Sequence, residues 1–348
     1  MKLVFICQAV DEKDPVLAST VRWIKEFARR PQVERMTVIA LRVGEFHLPD
    51  KVQVHAIREK SRLLTLLHFY RIVFRALAQG TDSFFVHMGG WYPILLLPFK
   101  LLLGKPIYHW KAHPHINRVM RFSARFCDTK IFTATPHSFP LPLAQVRVLG
   151  HGIDTSQFHV GARPKKGDLV TVGRVAPSKQ IDLMLKALAR CNYRYGTAYR
   201  LDVYGPTLGM DQDYRARLDA LVAEMDSGAS VAFKGAVRRE QLPELLNGYR
   251  LFLSFSQTAL DKSTVEAMAC GLPVLSTNPC VEEILPEAQR SALMVLQADV
   301  DLLAEAIHRL LSLQDEQLSA MGQALRKVAV RDHSLVSLVD KMLAEMVS

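Results

Sequence analysis

The stretch Leu169-Val170-Thr171-Val172-Gly173-Arg174-Val175-Ala176-Pro177-Ser178-Lys179-Gln180-Ile181 decides the fold. A short apolar run ends at a glycine, a loop with two cations follows, and a helical pattern opens at Ile181 and runs to 189. A run this short and continuous fits a strand buried on both faces, as in a parallel sheet. The same order recurs downstream, with strands at 201–204, 231–233, 251–254 and 274–276 and helices at 214–225, 241–246 and 263–269. Gly271 stands where a left-handed cap would close the last of these helices. Upstream, strands read at 3–7, 37–40, 52–56, 84–87, 107–111 and 130–133, with helices at 16–29, 62–78, 92–103 and 116–126 between them. Residues 158–168, with Gly161, Pro164 and Gly167, read as a linker, and helical patterns fill 300–311, 317–328 and 334–346. Strand–helix alternation on both sides of a linker predicts an α/β protein of two doubly wound, Rossmann-like domains. Their expected spans are 1–158 and 159–332, with a last helix at about 333–348 returning to the first. Such sheets hold ligands outside the carboxyl ends of their strands, so the expected site is a cleft between facing domains.

Composition narrows the classes. The 348 residues are 49% hydrophobic and 22% charged, which excludes a disordered chain. Cys7, Cys127, Cys191, Cys270 and Cys280 form no CxxC pair and match no metal-cluster spacing, so buried reduced thiols are expected. The opening apolar run meets Asp11-Glu12-Lys13-Asp14 too soon for a signal peptide. The greasiest stretch, 91–103, is broken by Pro93, Pro98 and Lys100 and falls short of the ~20 residues of a spanning helix. A cytoplasmic protein, at most peripheral to a membrane, is expected.

The net charge is +10, and its placement is one-sided: residues 1–160 hold 22 Lys and Arg against 11 Asp and Glu. A basic first half points to an anionic partner (lipid headgroups, nucleic acid or a phosphorylated substrate), the plainer alternative being a solubilising surface, and no nucleic-acid recognition motif accompanies it. Segment 57–75 mixes Arg58, Lys60, Arg62, Arg71 and Arg75 with apolar residues, a pattern shared by membrane-surface helices and by core helices with a basic edge.

Two strand-end loops carry the candidate chemistry. Arg174 and Lys179 lie on one strand–loop–helix turn, where a forked donor and a compact charge can converge on a diphosphate beside a helix N-terminus. Downstream, Ser254-Phe255-Ser256-Gln257-Thr258-Ala259-Leu260-Asp261-Lys262 leads into a helix that carries Glu266 among apolar neighbours. A carboxylate there can accept from vicinal hydroxyls or simply complement the helix dipole.

In this order the segments resemble the retaining glycosyltransferases of family 4, which have the GT-B fold. The resemblance rests on Gly173-Arg174…Lys179, on Val203-Tyr204-Gly205, on Val231-Ala232-Phe233-Lys234-Gly235 and on the run from Glu266 to Val274. Gly152-Ile153-Asp154, Phe158 and Trp110-Lys111-Ala112-His113 add to it. It implies transfer of a sugar, of hexosyl type, from a nucleoside diphosphate donor with retention at the anomeric carbon. The acceptor would be a glycan or lipid-linked molecule, in lipopolysaccharide or exopolysaccharide synthesis at the inner face of a bacterial membrane. Arg174 and Lys179 would stabilise the departing diphosphate and Glu266 would hold the ribose. Gly173, Gly205, Gly235 and the loop Thr258, Ala259, Leu260 and Asp261 would line the donor, and His113 would face its sugar. Asp14 and Pro15 would lie on the acceptor side, in the first domain. The donor is a substrate, so no cofactor is expected, and no metal either: Asp211-Gln212-Asp213 fits a helix start better than a metal-holding pair.

The chain departs from the family pattern in three places, the first being the N-terminal loop, where Cys7-Gln8-Ala9-Val10 and Asp14-Pro15 stand in place of the glycine-rich turn of many members. Gln180 replaces the glycine after the lysine, and Thr258 stands where the first of two glutamates belongs, which leaves Asp261 or Lys262 to take over part of that role. The alternatives are a nucleotide-sugar epimerase on the same fold and a non-catalytic glycan- or membrane-binding homologue.

Overall fold

The computed structural model describes residues 1–14, 17–161, 165–225 and 230–347. Pro15 and Val16 lie outside the described residues, so the first helix is described from Ser19 to Arg29. The chain forms two units, Met1–Gly152 with Leu335–Ser348, and Ile153–Ser334.

The first unit is built on β1 (Lys2–Val10), β2 (Arg35–Val43), β3 (Val52–Ala56), β4 (Ser83–His87), β5 (Ile107–Trp110), β6 (Lys130–Thr133) and β7 (Val146–Val148). Their order is β3-β2-β1-β4-β5-β6-β7, and every pairing is parallel. The period-2 geometry of a strand sorts β1 between two cores. Leu3, Phe5 and Cys7 join Trp23, Phe27 and Phe85 on one face, while Val4 and Ile6 join Phe69, Phe84 and Phe99 on the other. The first face is closed by the helix Leu335–Val347, whose Leu338, Val339 and Met342 are fully buried. Tyr108 Oη donates to the Met346 carbonyl at 2.7 Å, and Arg30 Nε lies 2.6 Å from Asp340. The segment expected to be one helix over 116–126 is a short α-helix, Arg118–Phe122, running on as a π-helix, Ser123–Cys127.

The second unit holds β8 (Gly167–Val172), β9 (Leu201–Tyr204), β10 (Val231–Gly235), β11 (Tyr249–Ser254) and β12 (Val274–Ser276), again all parallel, in the order β10-β9-β8-β11-β12. The division falls after Gly152, ahead of the 158/159 boundary read from sequence, because Ile153 and Phe158 are fully buried in the second core. Next to the division, the Ile153 N–H donates to the His333 carbonyl at 2.8 Å and Ile153 bridges to Ser334.

Strand order reverses between β1 and β4 in the first sheet and between β8 and β11 in the second. Loops leaving the carboxyl ends on either side of such a reversal diverge and leave a crevice for a ligand. Among the described residues, no helix is long and apolar enough to cross a membrane.

Candidate functional site

The second unit gathers charged side chains at the carboxyl ends of β8, β9, β10 and β11. Three glycines shape the floor. Gly173 N–H donates to the Tyr204 carbonyl at 2.9 Å, and Gly205 N–H donates to the Gly235 carbonyl at 2.8 Å, so the three strand ends lie side by side. Gly205 has φ +147°, and a Cβ there would stand 1.8 Å from the Gly173 carbonyl oxygen. Only glycine permits that approach.

After β8, a 3-10 turn over Pro177–Lys179 leads through Gln180 into the helix Ile181–Tyr195. Lys179 Nζ meets Asp261 Oδ1 at 2.5 Å, across the reversal between β8 and β11. Gln257 N–H donates to the Ser178 carbonyl at 3.4 Å, which ties the same two loops together. Arg174 Nε lies 3.5 Å from Asp211 Oδ2 in the loop after β9; the Asp211 side chain is buried, whereas that of Arg174 is 44% exposed. From the loop after β10, Arg239 Nη2 reaches Glu266 Oε1 at 2.5 Å, and its guanidinium lies 5.3 Å from the centre of the Phe158 ring. Glu266 is only 2% exposed, so the neighbouring cation offsets the desolvation of its charge.

The loop ahead of Glu266 is pinned inward. Thr258 Oγ1 lies 3.0 Å from Ser256 Oγ, the Ala259 carbonyl accepts from Asn278 Nδ2 at 3.3 Å, and Leu260 is buried. Asp261 occupies the N-cap of the helix Lys262–Ala269, but its carboxylate turns to Lys179 and does not bond the first turn.

Two candidates belong to the first unit. His113 follows β5, and its Nδ1 accepts from the His115 N–H at 3.1 Å. Partial burial, then the charges of Lys111 and His115, lower its pKa below the usual histidine value. At neutral pH the ring is therefore mostly uncharged, with its proton on Nε2 as a donor. Asp14 accepts from Leu17 N–H at 2.8 Å and from Arg42 Nη2 at 3.2 Å, so its carboxylate holds its own loop. Pro15, its partner in the sequence reading, lies outside the described residues.

Residues 153–328, just over half of the chain, match the glycosyl transferases group 1 family. The chain belongs to this family. It is 24% identical over 203 residues to WcaL of Escherichia coli (strain K12), whose name links it to colanic acid biosynthesis as a glycosyltransferase. That match takes in 55% of this chain and 48% of WcaL, so the chain matches about half the length of that relative. The fold matches the crystal structure of Anabaena Alr3699/HepE in complex with UDP and glucose at a TM-score of 0.77, with 18% identity and 99% of both chains covered. It matches sucrose-phosphate synthase from Thermosynechococcus elongatus at 0.76, with 16% identity, 99% of this chain and 98% of that one covered. The architecture is thus that of GT-B glycosyltransferases.

In this group 1 glycosyltransferase the structure brings together Gly173, Arg174, Lys179, Gly205, Gly235, Asp261 and Glu266, and sets His113 and Asp14 in the other unit. Sequence reading missed two neighbours, Asp211 as the partner of Arg174 and Arg239 as the partner of Glu266. Both sit just past a strand that ends in a glycine, so examining every strand-end loop for charge would have found them. Among the described residues, no cluster of three or more His, Cys, Asp or Glu side chains is placed to hold a metal ion.

The Gln180 departure has a backbone meaning. Its φ of +49° and ψ of 45° are left-handed, where a glycine avoids the Cβ strain, and its buried Oε1 has no hydrogen-bond partner. Left-handed backbone costs a non-glycine residue about 1–2 kcal/mol, while glycine costs about 0.5–1 kcal/mol in chain entropy. Gln180→Gly is therefore expected to stabilise the protein by about 0.5–1 kcal/mol, read as a rise in Tm. A fall in Tm would show that the Gln180 side chain contributes more than the strain costs.

Proposed function

We propose that this group 1 glycosyltransferase is a retaining enzyme of family 4. It moves a hexosyl group from a nucleoside diphosphate sugar to a glycan or lipid-linked acceptor in cell-surface polysaccharide synthesis, and acts on the cytoplasmic side of the membrane. The observation that carries this reading is the pair of cations, Arg174 and Lys179, on the loop that borders the strand reversal. As the anomeric C–O bond breaks, negative charge collects on the departing diphosphate. Two preorganised cations lower the energy of that state more than that of the bound donor, which is what accelerates the step. In this proposal they do so without a metal ion.

The other groups position the donor. Gly173, Gly205 and Gly235 leave the strand ends free of side chains, so phosphate and ribose can approach the backbone. Glu266, oriented by Arg239, accepts from the ribose hydroxyls. The loop Thr258, Ala259, Leu260 and Asp261 borders the donor sugar, His113 offers its Nε2–H to a sugar hydroxyl, and Asp14 serves the acceptor side. The names of relatives agree with this reading: HepE is known with UDP and with UDP-glucose, and WaaG, an enzyme of lipopolysaccharide biosynthesis, shares the fold at a TM-score of 0.64.

The test is calorimetry with a panel of nucleoside diphosphates, followed by turnover of the matching sugars and NMR of the product's anomeric configuration. Binding of one diphosphate and transfer with retention are expected. Failure of every diphosphate to bind would overturn the reading. Turnover of donor alone would favour an epimerase, and binding without turnover a non-catalytic homologue.

A further inference from the structure

On one side of the first sheet, the helices Arg62–Ala78 and Tyr92–Leu103 and the α-to-π segment 118–127 adjoin one another. Phe74 meets Phe99 edge-on with ring centres 5.4 Å apart, and Lys100 Nζ donates to the Cys127 carbonyl at 2.8 Å. All three elements leave large apolar side chains in water. Leu67 and Phe74 are 57% and 60% exposed, Leu102 and Leu103 are 81% and 53%, and Phe122 and Phe126 are 46% and 55%. The last two are one turn apart with ring centres at 5.1 Å. Exposed apolar residues scattered singly are ordinary, but a cluster spread over adjoining elements marks a surface that something covers.

The charges around this cluster say what covers it. Arg71, Arg75, Arg118, Arg121 and Arg125 are exposed, and none has an ion-pair partner among the described residues. Elsewhere in the first unit, basic side chains are routinely neutralised, as in Lys13–Glu45, Lys25–Glu12 and Arg30–Asp340. Arg121-Phe122 and Arg125-Phe126 repeat a cation beside an aromatic ring at a spacing of four, on a helical segment whose Ser123, Ala124 and Cys127 are buried. Unpaired cations ringing exposed leucine and phenylalanine tips match an anionic bilayer surface, with cations on headgroups and apolar tips at the acyl boundary. A second copy of the chain would set these like charges face to face.

We propose that this three-element face docks the protein on an anionic lipid bilayer. The sequence pointed to segment 57–75 alone. The structure buries Phe69, Ile72 and Val73 of its helix in the core, leaves Leu63, Leu67 and Phe74 exposed, and adds Leu102, Leu103, Phe122 and Phe126 from the adjoining elements. The inference stands whether or not sugar transfer is confirmed.

The test is co-sedimentation of the full chain with vesicles, neutral phosphatidylcholine against a mixture rich in phosphatidylglycerol, at low and high salt. Wild type is expected to pellet with the anionic vesicles only, and less so as salt is raised. Each cation at such a surface is worth about fivefold in partitioning, so the triple variant Arg118→Gln, Arg121→Gln, Arg125→Gln should lose about 100-fold. Leu102→Ser with Phe126→Ser keeps every charge and should weaken binding as well. All five positions are exposed, and an unchanged Tm would confirm that the variants are folded. Binding indifferent to both variants would overturn the proposal. So would loss with the arginine set alone together with equal competition by RNA, which would mark a general polyanion face. Concentration-dependent dimerisation through this face, with no affinity for vesicles, would assign it to a second copy.

Discussion

Lys179→Ala and Arg174→Ala are each expected to lower sugar transfer by about 10²–10³, the loss typical of removing one preorganised group from a site of developing negative charge. Stability should fall far less. Arg174 meets Asp211 at 3.5 Å with its own side chain 44% exposed, and an exposed pair contributes about 1 kcal/mol or less. Lys179 and Asp261, at 2.5 Å and only 23% and 20% exposed, form a more buried pair, so Lys179→Ala should lower Tm more than Arg174→Ala. The measurement is kcat at saturating donor beside a thermal melt of each variant. A large fall in kcat with a small shift in Tm is the signature of a group acting on the departing diphosphate. Near-wild-type turnover in both variants would remove that role and leave two cations that only pair with neighbouring carboxylates.

Gly205→Ala should act through the backbone. The added methyl would stand 1.8 Å from the Gly173 carbonyl oxygen, at a φ of +147° that alanine avoids. The nearest atoms are all main chain, so no side chain can turn aside, and β8 and β9 have to part at their carboxyl ends. Overpacking of this kind costs about 3 kcal/mol, which for a unit of this size is a fall in Tm of roughly 6–12 °C. Because Arg174 follows Gly173 directly, nucleotide affinity should fall in the same variant at temperatures where it is still folded. A melting temperature equal to wild type would show that the strands can part without cost.

The fold was legible where burial writes a plain pattern. The run from Leu3 to Cys7 is apolar without interruption because β1 is central and covered on both faces. β7 was missed because Val146-Arg147-Val148 is an edge strand, too short and too mixed to show alternation. The π-helix at Ser123–Cys127 was missed because a shift in backbone hydrogen bonding leaves no residue signature. In the site, Gly173, Arg174, Lys179 and Glu266 were legible because each sits at a strand end or on the helix after one. Arg239 was legible only as a charge just past a strand end; its pairing with Glu266, 27 positions on, depends on the folded placement of the loop after β10 against the helix after β11. The left-handed backbone at Gln180 was signalled indirectly: its residue type gave no hint of it, and only the family's preference for glycine marked the position.

The helix Leu335–Val347 belongs to the first unit but is the last element of the described chain to be synthesised. On the ribosome, β1 to β7 emerge early, yet the face around Trp23 and Phe27 stays uncovered until Leu338, Val339 and Met342 exist. Translation at about 5–20 residues per second spends roughly 10–40 s on residues 153–334 in between. The order of completion therefore reverses the order of synthesis: the second unit can close as soon as it is made, and the first waits. During that wait the nascent chain offers an apolar face to chaperones, and premature termination before Leu338 would leave that face open in the released product.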